Sequence, residues 1–187
     1  MEDIYPALER AREAGKIRFL GITEMYNEDL DHTMMERALT DDLWDVVMVG
    51  FSLLNQTARQ RLLPLAKERN VGVQIMFAVR KALSSIENFV PFVEYLIGTG
   101  ELSAEEGRLC LEDDFVTDLK AASLADASYH FCRDEPGVQV VLSGTGNTEH
   151  LQANLASFER GPLPPKVVDR LHVLFAGVRS TTGQALP

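Results

Sequence analysis

The sequence predicts an α/β fold in which four parallel strands alternate with helices. The predicted strands are continuous apolar runs, which is typical of parallel strands covered by helices on both faces. Strands and helices alternate at intervals of roughly 25 to 30 residues, which favours right-handed crossover connections. With 187 residues and a hydrophobic content of 45%, the chain is long enough to bury one sizeable core.

The first three strands follow one another in a regular order. An apolar helical pattern over Ile4–Ala14 ends at Gly15, a residue that favours helix termination. The predicted strands that follow are Ile17–Ile22, Trp44–Leu53 and Val71–Val79. The predicted helices between them are Asp29–Leu39, with Asn27 or Asp29 as its cap, and Gln56–Arg69.

A longer interval separates the third strand from the fourth, which is predicted at Val138–Leu142. Residues 84–137 are expected to form a helical insertion, and such an insertion is either a lid or an elaboration of the scaffold. Its predicted helical segments are Ile86–Ile97, a segment opened by a capping box at Ser103–Glu106, and Leu119–Cys132. A helix over His150–Phe158 follows the fourth strand, prolines open a last helix, and Ser180–Pro187 is expected to be loose.

The composition restricts the class of protein. The formal net charge of −10 argues against nucleic acid or an anionic membrane as the principal partner. No apolar run approaches the roughly 20 residues of a membrane helix, and the charged start does not resemble a signal peptide. Cys110 and Cys132 fit no metal or redox spacing and are expected to be packing residues. We therefore expect a cytoplasmic protein without a metal site.

The segment Val138–Asn154, VQVVLSGTGNTEHLQAN, combines an apolar strand, a glycine-rich turn and a helix start. Backbone N–H groups at such a turn and the positive end of the helix dipole both favour an anion. Gly144 and Gly146 allow a ligand to approach the backbone, and Asn147 or Thr148 is expected to cap the helix. The segment is therefore either a phosphate-binding unit or a plain connection between strand and helix.

Four β/α units leave the predicted sheet incomplete. A parallel sheet of four strands has two exposed edges, whereas closure into a (β/α)8 barrel requires eight strands. The fold is therefore either a small open α/β sheet or half of a larger assembly.

Four segments of the chain resemble, in order, the second half of an aldo-keto reductase. They are ALERAREAGKIRFLGITEMY, DVVMVGFSLLNQTARQRLLPLAKERNVGV, IMFAVRKALS and VVLSGTGNTEHLQANL. The resemblance implies the C-terminal portion of a (β/α)8 TIM barrel, strands five to eight with their helices plus a C-terminal helix. It also implies a partial oxidoreductase domain over residues 1–187. Members of that family reduce aldehydes and ketones with NADPH.

The resemblance also implies that the catalytic half is missing. The family's catalytic Asp, Tyr, Lys and His lie at or just beyond strands two to four, whereas Met1 falls in the helix after strand four. None of the four tyrosines and four histidines of this chain takes those roles. We therefore assign no catalytic residue and expect the isolated chain to be inactive, with a small-molecule carbonyl substrate only if the missing half completes it.

The resemblance assigns the adenosine end of the cofactor to the last strand and its helix. The turn Gly144-Thr145-Gly146-Asn147 matches the loop around the adenosine phosphates. His150 falls near the 2′-phosphate, and Asn154 matches the Asn that binds the adenine. Ser143 and Gly144 stand where some relatives have Pro-Lys, so the resemblance leaves NADP and NAD both open.

The nicotinamide end is assigned to the other strand ends. Thr23 and Glu24 stand where relatives have the Ser-Asn that holds the carboxamide, although an ionised Glu24 cannot donate a hydrogen bond. Phe77 is a candidate stacking surface for the nicotinamide ring, and Arg80 is placed to meet the pyrophosphate. Met48 and Met76 are interpreted as barrel core. Phe77 and Arg80 each have an alternative interpretation. Phe77 can be a packing residue at the strand end, and Arg80 can be a solvated residue there, without any role in binding a cofactor.

Two classes of function follow. In one, the chain is the C-terminal fragment of an NAD(P)H-dependent aldo-keto reductase. In the other, it is a half-barrel that forms a homodimer through its exposed sheet edges and binds a nucleotide or no ligand.

Overall fold

A four-stranded parallel sheet forms the centre of the computed structural model, which describes residues 4–186. The predicted α/β fold is confirmed. The strands are β1 (Gly21–Thr23), β2 (Val46–Gly50), β3 (Gly72–Met76) and β4 (Val140–Val141). They lie side by side in chain order, and every neighbouring pair is parallel. All four carboxyl ends therefore meet at the same end of the sheet.

Ten α-helices and two 3-10 turns accompany the strands within the described residues. The α-helices are α1 (Ile4–Glu13), α2 (Thr33–Thr40), α3 (Leu62–Glu68), α4 (Lys81–Ser84), α5 (Ile86–Thr99), α6 (Ala104–Cys110), α7 (Phe115–Asp118), α8 (Leu124–Arg133), α9 (Thr148–Glu159) and α10 (Pro165–Leu174). The 3-10 turns are Tyr26–Glu28 and Thr57–Arg59.

Several helix ends form as local sequence signals predict. Gly15 follows α1 with φ +68°, the left-handed conformation that terminates helices. The Asp29 carboxylate accepts hydrogen bonds from the backbone amides of Thr33 and Met34 at 2.9 and 2.7 Å, so Asp29 caps the start of α2. Ser103 and Glu106 form a reciprocal capping box at α6.

Most predicted elements have somewhat different bounds, and for two of them a local cause is visible. The helix predicted over Gln56–Arg69 is divided into a 3-10 turn and α3. Pro64 lies in the first turn of α3, where its missing N–H leaves no hydrogen bond within the helix unmade. The strand predicted at Ile17–Ile22 starts only at Gly21. The preceding Leu20 amide donates to the Asp45 carboxylate at 2.8 Å, so a side chain and not the strand ladder takes that donor.

The insertion between β3 and β4 contains α5 to α8. The helix predicted over Leu119–Cys132 begins later, at Leu124, where Ser123 accepts a hydrogen bond from the Asp126 amide at 3.1 Å. Lys120, with φ +57°, separates α8 from α7. Phe89 of α5 and Phe115 of α7 stack with ring centroids 5.7 Å apart, so the insertion has its own packed centre joined to the main core.

Helices cover only one face of the sheet, which corrects the expectation that both faces are covered. Val47 and Val49 of β2 and Val73 and Ile75 of β3 are at most 1% exposed, and they pack in the main core with side chains of the helices. The alternate residues of the same strands, Val46, Met48, Gln74 and Met76, are only half-buried. The methionines interpreted as barrel core therefore lie on the uncovered face.

The segment expected to be loose is instead packed against the strand ends. We call residues 179–184 the C-terminal strap. Thr181 and Thr182 are buried, and the Asn55 side-chain amide donates to the Thr181 carbonyl at 3.0 Å. The Ala82 amide donates to the Gly183 carbonyl at 2.8 Å. Pro187, the last residue of the predicted loose segment, lies outside the described residues.

The two cysteines are packed in the interior of the protein. Cys110 and Cys132 are buried free thiols, as predicted for packing residues. Burial raises the pKa of both thiols, that of Cys110 to about 12, so they are poor nucleophiles. Between residues 4 and 186, no helix combines the length and apolarity needed to cross a bilayer.

Candidate functional site

A cleft of about 400 Å³ opens at the carboxyl ends of β3 and β4. Five of the predicted cofactor residues line it together, namely Arg80, Gly144, Thr145, His150 and Asn154. The parallel pairing of β3 with β4 brings the loop that bears Arg80 beside the glycine turn, although some sixty residues separate them in the chain. The position agrees with the general rule that ligands of α/β folds bind at the carboxyl ends of strands.

The glycine turn leads into α9 as predicted. Asn147 caps the helix, with its side-chain oxygen accepting from the amides of Glu149 and His150 at 2.8 and 3.4 Å. A Cβ added at Gly144 or Gly146 would meet nothing within 4 Å. Packing within the chain therefore does not require glycine at either position, and the space beside the backbone is open to a ligand.

Ser143 lies behind the turn and is fixed from two sides. The Asn154 side-chain amide donates to the Ser143 hydroxyl at 2.8 Å, and the Tyr129 hydroxyl is 3.0 Å from the same oxygen. Tyr129 also lines the cleft and packs against Phe158 with centroids 5.5 Å apart. The sequence contained no signal for Tyr129, because only the packing of α8 against β4 and α9 brings it to the site.

Arg80 has an unusual environment for a cation. Its guanidinium carbon lies 3.5 Å from the centre of the Phe77 ring, and Nη1 donates to the Thr182 hydroxyl at 3.3 Å. Among residues 4–186, no carboxylate forms an ion pair with it. Burial lowers the pKa of Arg80, yet an arginine stays charged near neutral pH. A half-buried charge of this kind favours an anionic ligand.

Glu24 is committed to partners inside the protein. One carboxylate oxygen is 2.6 Å from Nδ1 of His32, and the other accepts the Gly50 amide at 2.6 Å. Both side chains of the Glu24–His32 pair are almost completely buried. The structure thus gives Glu24 a clear structural role, and its contact with a nicotinamide carboxamide stays a prediction.

The hydrogen bonds continue from this pair to the C-terminal strap. Nε2 of His32 is 2.9 Å from the Thr57 hydroxyl, which in turn is 2.9 Å from the Asn55 side-chain oxygen. The Asn55 amide donates to the Tyr26 hydroxyl at 2.5 Å, and that hydroxyl donates to the Arg179 carbonyl at 3.1 Å. Burial raises the pKa of Tyr26, so its hydroxyl stays protonated as a donor. This chain of contacts fixes the strap that supports Arg80.

The remaining predicted residues do not line the cleft. Thr23 is exposed, and its hydroxyl is 3.8 Å from the Met48 sulfur on the uncovered face. Phe77 lies beneath Arg80, and Glu24 lies behind Gly50. The structure therefore brings the predicted adenosine-end residues together more closely than the predicted nicotinamide-end residues.

Comparison with solved structures identifies the same architecture. Aldo-keto reductase AKR11C1 from Bacillus halodurans, in its holo form, matches with a TM-score of 0.63 and 17% identity, covering 92% of this chain and 55% of that one. An aldo-keto reductase from Klebsiella pneumoniae in complex with NADPH matches with a TM-score of 0.61 and 19% identity, covering 97% and 56%. The chain thus spans little more than half the length of these structures, and its four parallel strands with their helices match the TIM-barrel fold.

Sequence comparison is consistent with the structural one. No curated protein matches the chain significantly. The model of the aldo/keto reductase family matches residues 1–174, which is nearly the whole chain. The chain therefore belongs to the aldo/keto reductase family.

Proposed function

We propose that this chain holds the adenosine-phosphate end of a nicotinamide dinucleotide, NADP or NAD, for an aldo-keto reductase. The observation that carries the proposal is the half-buried Arg80, which lines the cleft and forms no ion pair with a carboxylate among residues 4–186. Family membership supports a nicotinamide cofactor, since the Klebsiella pneumoniae relative was solved with NADPH.

The residues present fit the phosphate and adenosine parts of such a cofactor. Open space beside Gly144 and Gly146 leaves room for a phosphate next to the backbone, and Arg80 supplies the charge. The first turn of α9 carries His150, whose ring N–H can donate a hydrogen bond to a phosphate oxygen. Asn154 and Tyr129 provide polar groups on the wall of the cleft.

The chemistry of the complete enzyme is part of the proposal. A dinucleotide supplies hydride for the reduction of a carbonyl, and the residues that transfer the proton match no position in this chain. We therefore propose that the chain alone binds the cofactor but does not reduce an aldehyde or ketone. We also propose that the complete enzyme acts on a small-molecule carbonyl compound and is located in the cytoplasm.

Titration with NADP⁺ and NAD⁺ by isothermal calorimetry tests the cofactor site. We expect NADP⁺ to bind, and Asn154→Ala to weaken it by about three- to tenfold, the effect of losing one neutral hydrogen bond. Gln152→Ala is the matched control, because Gln152 is an exposed amide on the same helix that does not line the cleft. Absence of binding by the unmodified chain, or equal effects of the two substitutions, would contradict the proposal.

We also propose that a second copy of this chain covers the exposed sheet edges and so forms a homodimer. Because all strands are parallel and lie in chain order, a two-fold copy would place its β1 beside β4 with every strand still parallel. The β4 side carries apolar side chains that are 36–58% exposed, namely Val140, Leu142, Leu151, Leu155 and Phe158. The last three recur at helical spacing along α9 and form one stripe.

Sedimentation equilibrium tests this association. We expect a species of twice 20.8 kDa for the unmodified chain and a monomer for Leu155→Lys, which places a charge in the α9 stripe. Val173→Lys is the control, since Val173 is 74% exposed on α10 and lies outside the stripe. A monomer at every concentration of the unmodified chain would rule out the homodimer and leave the fragment interpretation.

A further inference from the structure

We propose that Phe77 is a positioning residue for Arg80 and not the stacking surface for a nicotinamide ring. In this role the Phe77 ring holds the guanidinium at the cleft, where it meets the phosphate of the ligand. The inference rests on the proposed function, because it concerns how the same cleft recognises its anion. It assigns to Phe77 a different task from the one that its position at a strand end predicts.

The contact between the two side chains supports this assignment. The Arg80 guanidinium carbon is 3.5 Å from the Phe77 ring centre, the distance of direct stacking on a ring face. Arg80 lines the cleft, whereas Phe77 does not. A flat ligand ring that stacked on this face of Phe77 would have to displace the cation from it. Phe77 therefore contributes to the cleft through its contact with Arg80 and not by lining it.

The rest of the Phe77 ring is enclosed by protein. A Cβ added at Gly50 would lie 2.9 Å from Cδ2 and 3.1 Å from Cε2 of Phe77, so the ring occupies space that only glycine leaves free. The Tyr26 ring packs against Phe77 nearly at a right angle, with centroids 6.4 Å apart. Phe77 is thus set in a slot formed by Gly50, Tyr26 and Arg80.

The backbone of Phe77 is also unusual. Its φ of +76° is strained for a bulky residue, and such a conformation persists only where the surroundings determine it. The surroundings here include the Gly50 amide, which Glu24 holds at 2.6 Å. Strained residues cluster at ligand sites, where they fix a group in one orientation. In this chain the group so fixed is the guanidinium of Arg80.

Arg80 has a second support in the C-terminal strap. The Thr182 hydroxyl accepts from Nη1 at 3.3 Å, and Thr182 is buried. An arginine side chain is long and flexible, so an anion that binds it normally has to order it. Because Phe77 and Thr182 already restrict Arg80, less ordering remains for the ligand, which strengthens binding.

Calorimetric titration with two probes distinguishes the two roles of Phe77. One probe is NADP⁺ and the other is 2′,5′-ADP, which has the adenosine phosphates but no nicotinamide. We expect Phe77→Leu to weaken both probes by the same factor, about three- to tenfold, the worth of a half-buried cation–π contact. In an Arg80→Ala background, Phe77→Leu should have no further effect on either probe.

Thr182→Val provides a second test that leaves the Phe77 ring in place. It removes the hydroxyl support of Arg80, and we expect it to weaken both probes equally. Loss of NADP⁺ affinity with unchanged 2′,5′-ADP affinity in Phe77→Leu would overturn the inference, because that pattern indicates stacking on nicotinamide. Failure of the unmodified chain to bind either probe would overturn the proposed function, and the inference with it.

Discussion

Glu24→Ala is expected to lower the free energy of unfolding by about 2–6 kcal/mol, because it leaves two buried polar groups without a partner at about 1–3 kcal/mol each. The substitution removes the hydrogen-bond partner of two buried groups, Nδ1 of His32 and the amide of Gly50, both 2.6 Å from the carboxylate. Neither group has access to water as a substitute, since His32 and Gly50 are buried. Urea unfolding followed by the fluorescence of Trp44, the only tryptophan, measures the change.

Asp41→Ala is the matched control for this substitution. Asp41 forms an ion pair with Arg37 at 2.8 Å, on the exposed surface at the end of α2. Such pairs contribute about 0–1 kcal/mol, so Asp41→Ala should change stability little. Glu24→Gln retains one oxygen for the Gly50 amide and should cost less than Glu24→Ala. Equal effects of Glu24→Ala and Asp41→Ala would show that the buried pair does not stabilise the fold.

Arg80→Ala is expected to weaken the binding of 2′,5′-ADP by about ten- to a hundredfold, since hydrogen bonds to charged groups contribute about 1.5–3 kcal/mol. The effect is large because Arg80 is half-buried, lines the cleft and has its guanidinium fixed by Phe77 and Thr182. Arg80→Lys should recover only part of the affinity, because an ammonium group lacks the planar fork that binds phosphate bidentately. Calorimetric titration provides the dissociation constants.

Lys81→Ala provides the comparison that separates a specific contact from a general charge effect. Lys81 lines the same cleft and carries the same charge, but its side chain is exposed. Exposed charges are screened by salt, so Lys81→Ala should weaken 2′,5′-ADP only slightly at physiological ionic strength. If Lys81→Ala and Arg80→Ala had equal effects, the cleft would attract anions only through its overall charge.

Local patterns predicted much of the fold and the polar framework of the cleft. The order of strands and helices, the Asn147 cap and the Ser103–Glu106 capping box depend on residues close together in the chain, and all are confirmed. Pro64 was also a local signal, because proline is tolerated in the first turn of a helix, and it lies in the first turn of α3.

The coverage of the sheet could not be predicted from apolar runs. A strand is apolar on both faces when helices cover both, and also when one face points into a barrel. The apolar run Val46–Gly50 is compatible with both arrangements. The folded chain distinguishes them, because Val47 is fully buried under the helices whereas Met48, on the opposite face, is only half-buried.

The residues that hold the site residues in place could not be predicted from the sequence for a different reason. Tyr129, Thr182 and His32 act through partners on other elements, and no spacing in the chain marks them. The Arg80–Thr182 hydrogen bond joins residues 102 positions apart. Glu24 was recognised as an important strand-end residue, but the partners of its carboxylate appeared only in the folded chain.

The contacts of the C-terminal strap determine when the cleft is completed during synthesis. The hydrogen bond between the Tyr26 hydroxyl and the Arg179 carbonyl joins residues 153 positions apart. Domains begin to fold while the ribosome is still adding residues, so the sheet can assemble before the last segment emerges. The strap cannot dock before residues 179–184 have been synthesised. Arg80 therefore receives its Thr182 support later than its contact with Phe77, which lies only three residues before it in the chain.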